Sequence, residues 1–385
     1  MACIAPATAS EAGSGGDAKA FVFSRMRNVA SPCRPSRVAW SPDSKQFALL
    51  GDGTSGMSGM SGMSGKGVCL HNVDDLRLTR QMPLPYGTYL GGLAYAPDGK
   101  RLIVGVVDVH VFRLTDGEAL STYVNEPIVN GHAAPVKQMA LSPDGKVLAI
   151  DYLALAGDRK NQLPERLRLI DAATGATLRE VDLGGRHVAT DMVFSADSKS
   201  LRFAGSETLL DRDGKRRIGF FSQRTIVQEV GVGVATQKTI ARDIHTMSPT
   251  ALAVSRDGRF AFTGTNTGAI HDTLDQDTGK WVHTDNSDPI RMFSTDDGHL
   301  MQTFSPISGK VVSLMISSGG ETLVSCQFDV KTSQTITVWD VSTHTARYSL
   351  ATPGKSRGPS ACALSPDEKH LIYAVGDEIR IVDFQ

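Results

Sequence analysis

The sequence predicts an all-β protein, a seven-bladed β-propeller of four-stranded antiparallel sheets, on three observations. A turn of the type Ser-Pro-Asp-Gly recurs along the chain, and proline, aspartate and glycine each suit one corner of a tight turn. Each turn lies between two short β-forming segments. Successive turns lie 46 (96 to 142) to 62 (255 to 317) residues apart, the length of a blade with variable loops. The turns begin at Ser41, Ala96, Ser142, Ser195, Ser255, Ser317 and Ser365.

The segment 136–183 shows one complete blade. Its first strand ends at the turn, its second strand follows at once, and the third alternates polar and apolar residues with period two. The second strands of the other six blades are predicted by the same apolar pattern after the turn. They are Gln46–Leu50, Arg101–Val104, Ser200–Ala204, Arg259–Thr263, Thr322–Cys326 and His370–Ala374.

The last blade contains only three predicted strands before the chain ends, 361–364, 370–374 and 378–383. A β-prone segment, Phe21–Phe23, precedes the first blade. We expect this segment to become the outer strand of the last blade, which closes the ring and removes an exposed edge. The predicted organisation is therefore a disordered tail over 1–19 and one propeller domain over 20–385.

Third strands are ambiguous in blades four and five. In blade four the candidates are 208–211 and 225–230, and in blade five they are 269–274 and 290–294; the later segment is preferred because it leads directly into the next turn. All long insertions then join a second to a third strand, so they emerge on one face of the ring. Loops on a rigid frame vary without unfolding it, which makes this face the predicted binding face. The insertions are 51–67, 153–165, 205–223 and 264–288.

The chain resembles the WD-repeat β-propellers. The resemblance rests on Gly131-His132 ahead of a first strand, on the Ser-Pro-Asp-Gly-Lys turn, and on Val338-Trp339-Asp340 at the end of a third strand. It implies that His132, Trp339 and Asp340 belong to a structural hydrogen-bond network rather than to a catalytic site. It also implies a role as a scaffold for proteins or peptides.

Composition excludes some partners. Lysine and arginine number 40 and acidic residues 41, without a basic run, so neither nucleic acid nor a membrane surface is an expected partner. A membrane span is not expected either, since no apolar stretch approaches about 18 residues. The five cysteines form no paired motif and are expected to be unpaired small hydrophobes in a reducing compartment.

The predicted compartment is therefore the cytoplasm. The alternative is a periplasmic or lipoprotein-anchored protein whose leader is missing, because Cys3 is followed by a tether rich in alanine, serine and glycine. The protein is expected to be a monomer.

Candidate partner-binding residues lie in the insertions. Trp281 is a possible anchor for a partner, because tryptophan dominates interface energetics, although it can equally pack on its own hairpin. Arg159 and Lys160 form a modest basic patch that can equally be a solvated face.

Two patterns resemble metal sites. Met57, Met60 and Met63 have thioether spacing for copper(I), but the triplet repeat of Met-Ser-Gly is more typical of a flexible loop. His271 and His283 flank three aspartates, a pattern that a polar hairpin through 277–279 explains more simply. We therefore predict no metal site, no cofactor and no catalytic residue.

Two functions remain open at this stage. The preferred one is a non-enzymatic scaffold that binds a protein or peptide on the face with the long insertions. The other is a propeller hydrolase or lactonase with a metal in the central channel, because such enzymes assemble their sites from isolated residues on different blades and leave no local motif.

Overall fold

The structure is a computed structural model. It describes residues 21–33, 35–52, 66–84, 91–123, 128–129, 132–133, 135–152, 166–183, 187–208, 223–243, 249–265, 271–274, 281–284, 290–305, 309–329, 333–352, 361–375 and 378–385. Within these residues every regular element is a β-strand, and no helix is long and apolar enough to cross a bilayer.

The described residues form seven four-stranded antiparallel sheets, as the turn spacing predicts. Six of the blades run in order along the chain, from the innermost strand to the outermost. Blade one contains β2 (Pro35–Trp40), β3 (Gln46–Asp52), β4 (Lys66–Asn72) and β5 (Leu78–Met82); blade two contains β6 (Gly92–Tyr95), β7 (Arg101–Gly105), β8 (Val109–Arg113) and β9 (Ala119–Tyr123). A two-stranded ribbon, β10 (Ile128–Val129) with β11 (His132–Ala133), precedes blade three, which contains β12 (Val136–Leu141), β13 (Val147–Tyr152), β14 (Arg166–Asp171) and β15 (Thr177–Asp182).

The second half of the ring repeats the same order. Blade four contains β16 (His187–Phe194), β17 (Ser200–Thr208), β18 (Gln223–Gly231) and β19 (Gln237–Asp243). Blade five contains β20 (Ala251–Val254), β21 (Phe260–Gly264), β24 (Ile290–Ser294) and β25 (Leu300–Phe304), with a separate hairpin of β22 (His271–Leu274) and β23 (Trp281–Thr284). Blade six contains β26 (Lys310–Ile316), β27 (Thr322–Asp329), β28 (Ser333–Asp340) and β29 (Thr345–Thr352). Blade seven contains β30 (Ala361–Leu364), β31 (His370–Val375), β32 (Glu378–Phe384) and β1 (Phe23–Ala30).

The hydrophobic core is divided among the contacts between blades. Each pair of neighbouring blades, including seven with one, has its own cluster of buried apolar side chains. Phe203 fills the contact between blades three and four, and Trp339 fills the contact between five and six. Because each sheet is covered by its two neighbours, burial of these side chains supplies the driving force that holds the ring together.

Blade seven closes the ring, as predicted, with a strand from the start of the chain. β1 pairs antiparallel with β32 from Phe23 opposite Phe384 to Ala30 opposite Glu378. The strand lies later than the predicted segment Phe21–Phe23, because Phe21 instead packs edge-on against Phe384 at 5.1 Å between ring centroids. Phe21 is therefore a buried residue just before β1 and not part of the strand.

The later third strands are confirmed in blades four and five, as β18 and β24. The earlier candidate in blade five belongs in part to the β22–β23 hairpin, in which Leu274 lies opposite Trp281. The long insertions accordingly all connect second to third strands. In an antiparallel meander these connections leave the same end of every blade, which we call the insertion face; the other end, with the Ser-Pro-Asp-Gly turns, is the turn face.

The turns share one hydrogen-bond pattern. In five of them the first serine hydroxyl donates to the aspartate two residues later at 2.6 to 2.7 Å, and the same aspartate accepts a backbone N–H of the residue beyond the corner. The fourth residue of every turn has a positive φ, between 59° and 84°. At Gly145 (φ 72°) an added Cβ would lie 2.8 Å from Cδ of Pro97, so glycine is required there on both grounds.

The expectation of unpaired cysteines was wrong. Cys33 is bonded to Cys69 and Cys326 to Cys362, with Cα–Cα distances of 6.0 Å and 6.6 Å. The first bond joins the link between β1 and β2 to the third strand of blade one, and the second joins blade six to blade seven. Sequence spacing could not reveal either pair, because the two cysteines of each bond lie on separate segments that meet only in the folded protein.

Candidate ligand site in the central channel

The innermost strands line a channel whose insertion-face end is polar. Four of these strands carry a polar residue four positions before the turn: Arg37, Gln138, Asp191 and Ser313. In each case a β-bulge immediately precedes that residue. The other three blades have a glycine or alanine there and regular pairing of the described strands. Because a bulge re-aims the next side chain, the fold places four polar groups in one layer.

Arg37 reaches across two blades. Its guanidinium donates three hydrogen bonds, all to backbone carbonyls: Nε to Gly91 at 3.0 Å, Nη1 to Ser36 at 3.0 Å and Nη2 to Lys137 at 3.3 Å. Gly91 precedes β6 and Lys137 lies on β12. The side chain therefore connects blade one to blades two and three.

Asp191 continues the layer into blades four and five. Its carboxylate accepts three hydrogen bonds: from Nε2 of Gln138 at 2.7 Å, from the backbone N–H of Leu252 at 3.0 Å and from the backbone N–H of Met192 at 2.9 Å. Blade three is thus joined to blade four, and blade four to blade five, through one carboxylate.

Three further side chains complete the circle. The Thr250 hydroxyl donates to the Val311 carbonyl, which joins blades five and six. The Ser313 hydroxyl donates to the Cys362 carbonyl at 3.3 Å, joining six and seven, and Nε1 of Trp40 donates to the Ala363 carbonyl at 3.0 Å, joining seven and one. These bonds, with those of Arg37 and Asp191, form a closed side-chain girdle around the channel.

Among the described residues, the hydrogen-bond partners of Arg37 and of Asp191 are all uncharged groups. Burial lowers the pKa of Arg37, while the negative charge of Asp191 raises it. Burial raises the pKa of Asp191, opposed by the N–H groups of Leu252 and Met192 and by the charge of Arg37. In both cases the cost of desolvation exceeds the compensation, so each group gains from an additional partner of opposite charge.

The channel contains two stacked cavities. The channel mouth, toward the insertion face, has a volume of about 220 Å³ and is lined by Ser36, Arg37, Val38, Gln138, Asp191, Thr250, Val312, Ser313, Ala361 and Cys362. The channel floor, farther along the same strands toward the turn face, has a volume of about 350 Å³. Its walls include the apolar side chains of Val193, Leu252, Leu314, Ile316 and Leu364 and, at the turn face, also Ser318, Ser365 and Glu368.

Of the residues predicted from the WD-repeat resemblance, Trp339 and Asp340 lie in blade six and His132 lies before blade three. Trp339 is buried in blade six, where its Nε1 donates to the Ser325 hydroxyl at 2.8 Å. Asp340 accepts the Ser342 N–H at 2.9 Å and pairs with Arg347, which fixes the turn after β28. His132 lies on the ribbon before blade three, and its side chain is outside the described residues, so its network role stays a prediction.

Of the predicted partner-binding residues, only Trp281 lies in the described part of the chain. Trp281 begins β23 in the blade-five hairpin, and nothing is described of its side chain. Arg159, Lys160 and the methionine triplet lie outside the described residues. Where side chains are described, no group of three histidine, cysteine or acidic residues is arranged to hold a metal.

Sequence reasoning missed the polar layer of the channel. A signal was present, because Arg37, Gln138, Asp191 and Ser313 stand at the same offset from their turns. It is visible only once the turns are aligned blade by blade, since a polar residue on a strand otherwise indicates a solvent-facing position.

Fold and site together define a seven-bladed β-propeller with a polar channel mouth on its insertion face. No protein-family model matches the chain, and no curated protein matches it.

Proposed function

We propose that the protein is a non-enzymatic interaction scaffold of the WD-repeat kind, which binds a protein or peptide on its insertion face. One observation supports the proposal: every long insertion follows a second strand and precedes a third strand, so all of them leave the rigid ring at the same face. Variable loops on a fixed frame are the usual arrangement for recognition of a partner. The seven buried contacts between blades supply the rigidity.

Within this face, we assign the anchoring role to Trp281 and a charged contact to Arg159 and Lys160. Trp281 stands at the start of β23, opposite Leu274, in a hairpin that is separate from the blade-five sheet. A tryptophan side chain offers a large contact area to a partner, and central anchors of this kind contribute about 2 kcal/mol or more.

The test begins with quantitative capture on the full chain and continues with the purified partner. Trp281→Ala is expected to weaken the partner's affinity at least about tenfold, and Arg159→Ser with Lys160→Ser to weaken it mainly at low salt. Arg256→Ser, an exposed change on the turn face, is the matched control and should bind normally. A partner whose affinity falls with the control but not with Trp281→Ala would refute the assignment.

The same preparation distinguishes the scaffold from a propeller hydrolase. Elemental analysis of the purified protein should show less than stoichiometric divalent metal. One equivalent of bound metal, with ester or lactone hydrolysis that a chelator abolishes, would contradict the scaffold proposal. The protein would then be a metal-dependent hydrolase.

The two disulfides support the extracytoplasmic alternative rather than the cytoplasm, because structural disulfides persist in oxidising compartments. We propose that the protein acts there as a monomer, with the division into a tail over 1–19 and a domain over 20–385. Differential thiol alkylation in the native host, and light scattering of the purified chain, test these two statements. If the four cysteines carry free thiols in cells, the extracytoplasmic assignment is wrong and the cytoplasm is the compartment.

A further inference from the structure

The channel mouth retains unused hydrogen-bonding capacity after the girdle is formed. A guanidinium has five N–H donors, of which Arg37 commits three to the described part of the chain. A carboxylate has about four acceptor positions, of which Asp191 commits three. The hydroxyls of Ser313 and Thr250 donate to carbonyls, which leaves their lone pairs as acceptors.

The walls of the channel change from polar to apolar along its length, so a bound ligand has a preferred orientation. At about 3.3 Å per residue, the two residues from Asp191 to Val193 span about 6.6 Å along β16. Over that distance the walls change from charged and hydroxyl groups to the apolar side chains of the channel floor. A mouth of about 220 Å³ has room for about seven water molecules, or for the head group of a small solute.

We propose that the channel binds a small zwitterion with an aliphatic stem, of the chemical class of the aliphatic α-amino acids. The carboxylate accepts the remaining N–H groups of Arg37, the ammonium donates to Asp191 and to the nearby hydroxyls, and the side chain enters the channel floor beside Leu252 and Leu314. A ligand with a single charge pairs with only one of the two groups, Arg37 or Asp191, and is repelled by the other. The proposal does not depend on the scaffold function, because it concerns the channel and not the insertions.

Calorimetry with three ligands of one shape tests the proposal on the wild-type full chain. L-leucine carries both charges, 4-methylpentanoate lacks the ammonium and 3-methylbutylamine lacks the carboxylate. We expect leucine to bind at least about tenfold more tightly than either analogue, and glycine to bind about tenfold more weakly than leucine because it has no stem. No heat with leucine at about 10 mM, or equal affinity for an analogue, overturns the proposal.

Variants separate recognition from the structural role of the girdle. In Asp191→Asn the preference of leucine over 4-methylpentanoate should collapse, because the ammonium that only leucine carries has lost its carboxylate partner. In Arg37→Gln the preference over 3-methylbutylamine should collapse. A purely structural role lowers all affinities together and leaves these ratios unchanged, and that result refutes the assignment.

Circular dichroism and the melting temperature establish that each variant folds, and Arg256→Gln on the turn face is the control with unchanged affinities. If neither girdle variant folds, the comparison of leucine with its analogues on the wild-type protein decides the question alone.

Discussion

Three of the seven turns carry a side chain at the left-handed corner, where glycine is the natural choice. These residues are Ser44, Ser198 and Glu368, with φ values of 59°, 62° and 62°. Each accepts a backbone N–H from the turn of the preceding blade: Ser44 from Asp367 at 3.1 Å, Ser198 from Asp144 at 3.1 Å, and Glu368 from Ser318. The unfavourable backbone conformation is therefore offset by a bond between blades.

Substitutions at Ser198 test this balance. Ser198→Ala keeps the positive φ and loses the bond, so it should lower the free energy of unfolding by about 1 kcal/mol. Ser198→Gly loses the same bond but removes left-handed strain of about 1 kcal/mol, so its stability should stay near that of the wild type. Urea unfolding of both variants measures the difference, and equal losses would contradict the explanation.

Histidine 71 gives the fold a pH dependence. It is buried, its ring stacks on Phe47 at 5.2 Å, and its Nδ1 lies 3.0 Å from the Leu76 carbonyl. Burial lowers the pKa of His71, opposed by that hydrogen bond, and burial also lowers the pKa of His110. Both imidazoles are thus more easily protonated in the unfolded chain.

The sign of the effect follows from linkage. The stability that neutral His71 contributes is fully present above its unfolded pKa of about 6.5 and is lost as the pH falls from there toward the lower folded pKa. Unfolding at pH 7.5 and 5.5 should show the wild type losing more stability than His71→Gln, with a residual loss from His110. Equal losses in the two proteins would exclude His71 as the source.

Among the elements, β1 depends on one charged side chain more than on its sequence pattern. Arg27 pairs with the Asp383 carboxylate through Nη2 at 2.8 Å and Nε at 2.9 Å, and its Nη1 donates to the Val73 carbonyl at 2.5 Å. It therefore binds the closing strand to β32 and blade seven to blade one at the same time.

Replacing Arg27 by glutamine should lower the free energy of unfolding by about 2 kcal/mol, because charge-assisted bonds are lost at a largely covered site. Arg25→Gln, an exposed change two residues earlier on β1, is the matched control and should alter stability by less than about 0.5 kcal/mol. Chemical denaturation compares the two. Similar losses would mean that β1 is held by its backbone pairing alone.

The elements were largely predictable, and the exceptions have physical causes. Turn residues and apolar alternation are local, so the blades and the later third strands of blades four and five followed from sequence. The position of β1 did not, because its exposed outer strand has a weak apolar pattern and Phe21, the large hydrophobe that is buried here, lies before its first residue. The channel site was missed because Arg37 and Asp191 come from blades far apart in the chain.

At the scale of the whole molecule, the disulfides lie on either side of the closing blade. Cys326–Cys362 joins blade six to blade seven, and Cys33–Cys69 secures the chain where it passes from β1 into blade one. Both partners of each bond are separated by 36 residues. Proximity of this kind arises from the ring, which is why cysteine spacing alone led to the wrong expectation.

Equal loop lengths lead to a quantitative prediction. Loop-closure entropy assigns each disulfide about 3 to 4 kcal/mol, so Cys33→Ala with Cys69→Ala should cost about as much as Cys326→Ala with Cys362→Ala. Guanidinium unfolding of the two double variants, with intact-mass analysis of the remaining bond, provides the measurement. A loss confined to one pair would show that contacts at the blade, rather than chain entropy, dominate.

The pairing of β1 with β32 also constrains how the polypeptide reaches its native state. Phe23 and Phe384 are neighbours across strands although they are 361 positions apart (23 to 384), so the final sheet cannot assemble until β32 has been synthesised. Until then β1 lacks its partner strand, and Phe21, which the closed ring buries, is available for wrong association. Refolding should accordingly end in a slow step in which β1 pairs with β32, after the local hairpins have formed within microseconds.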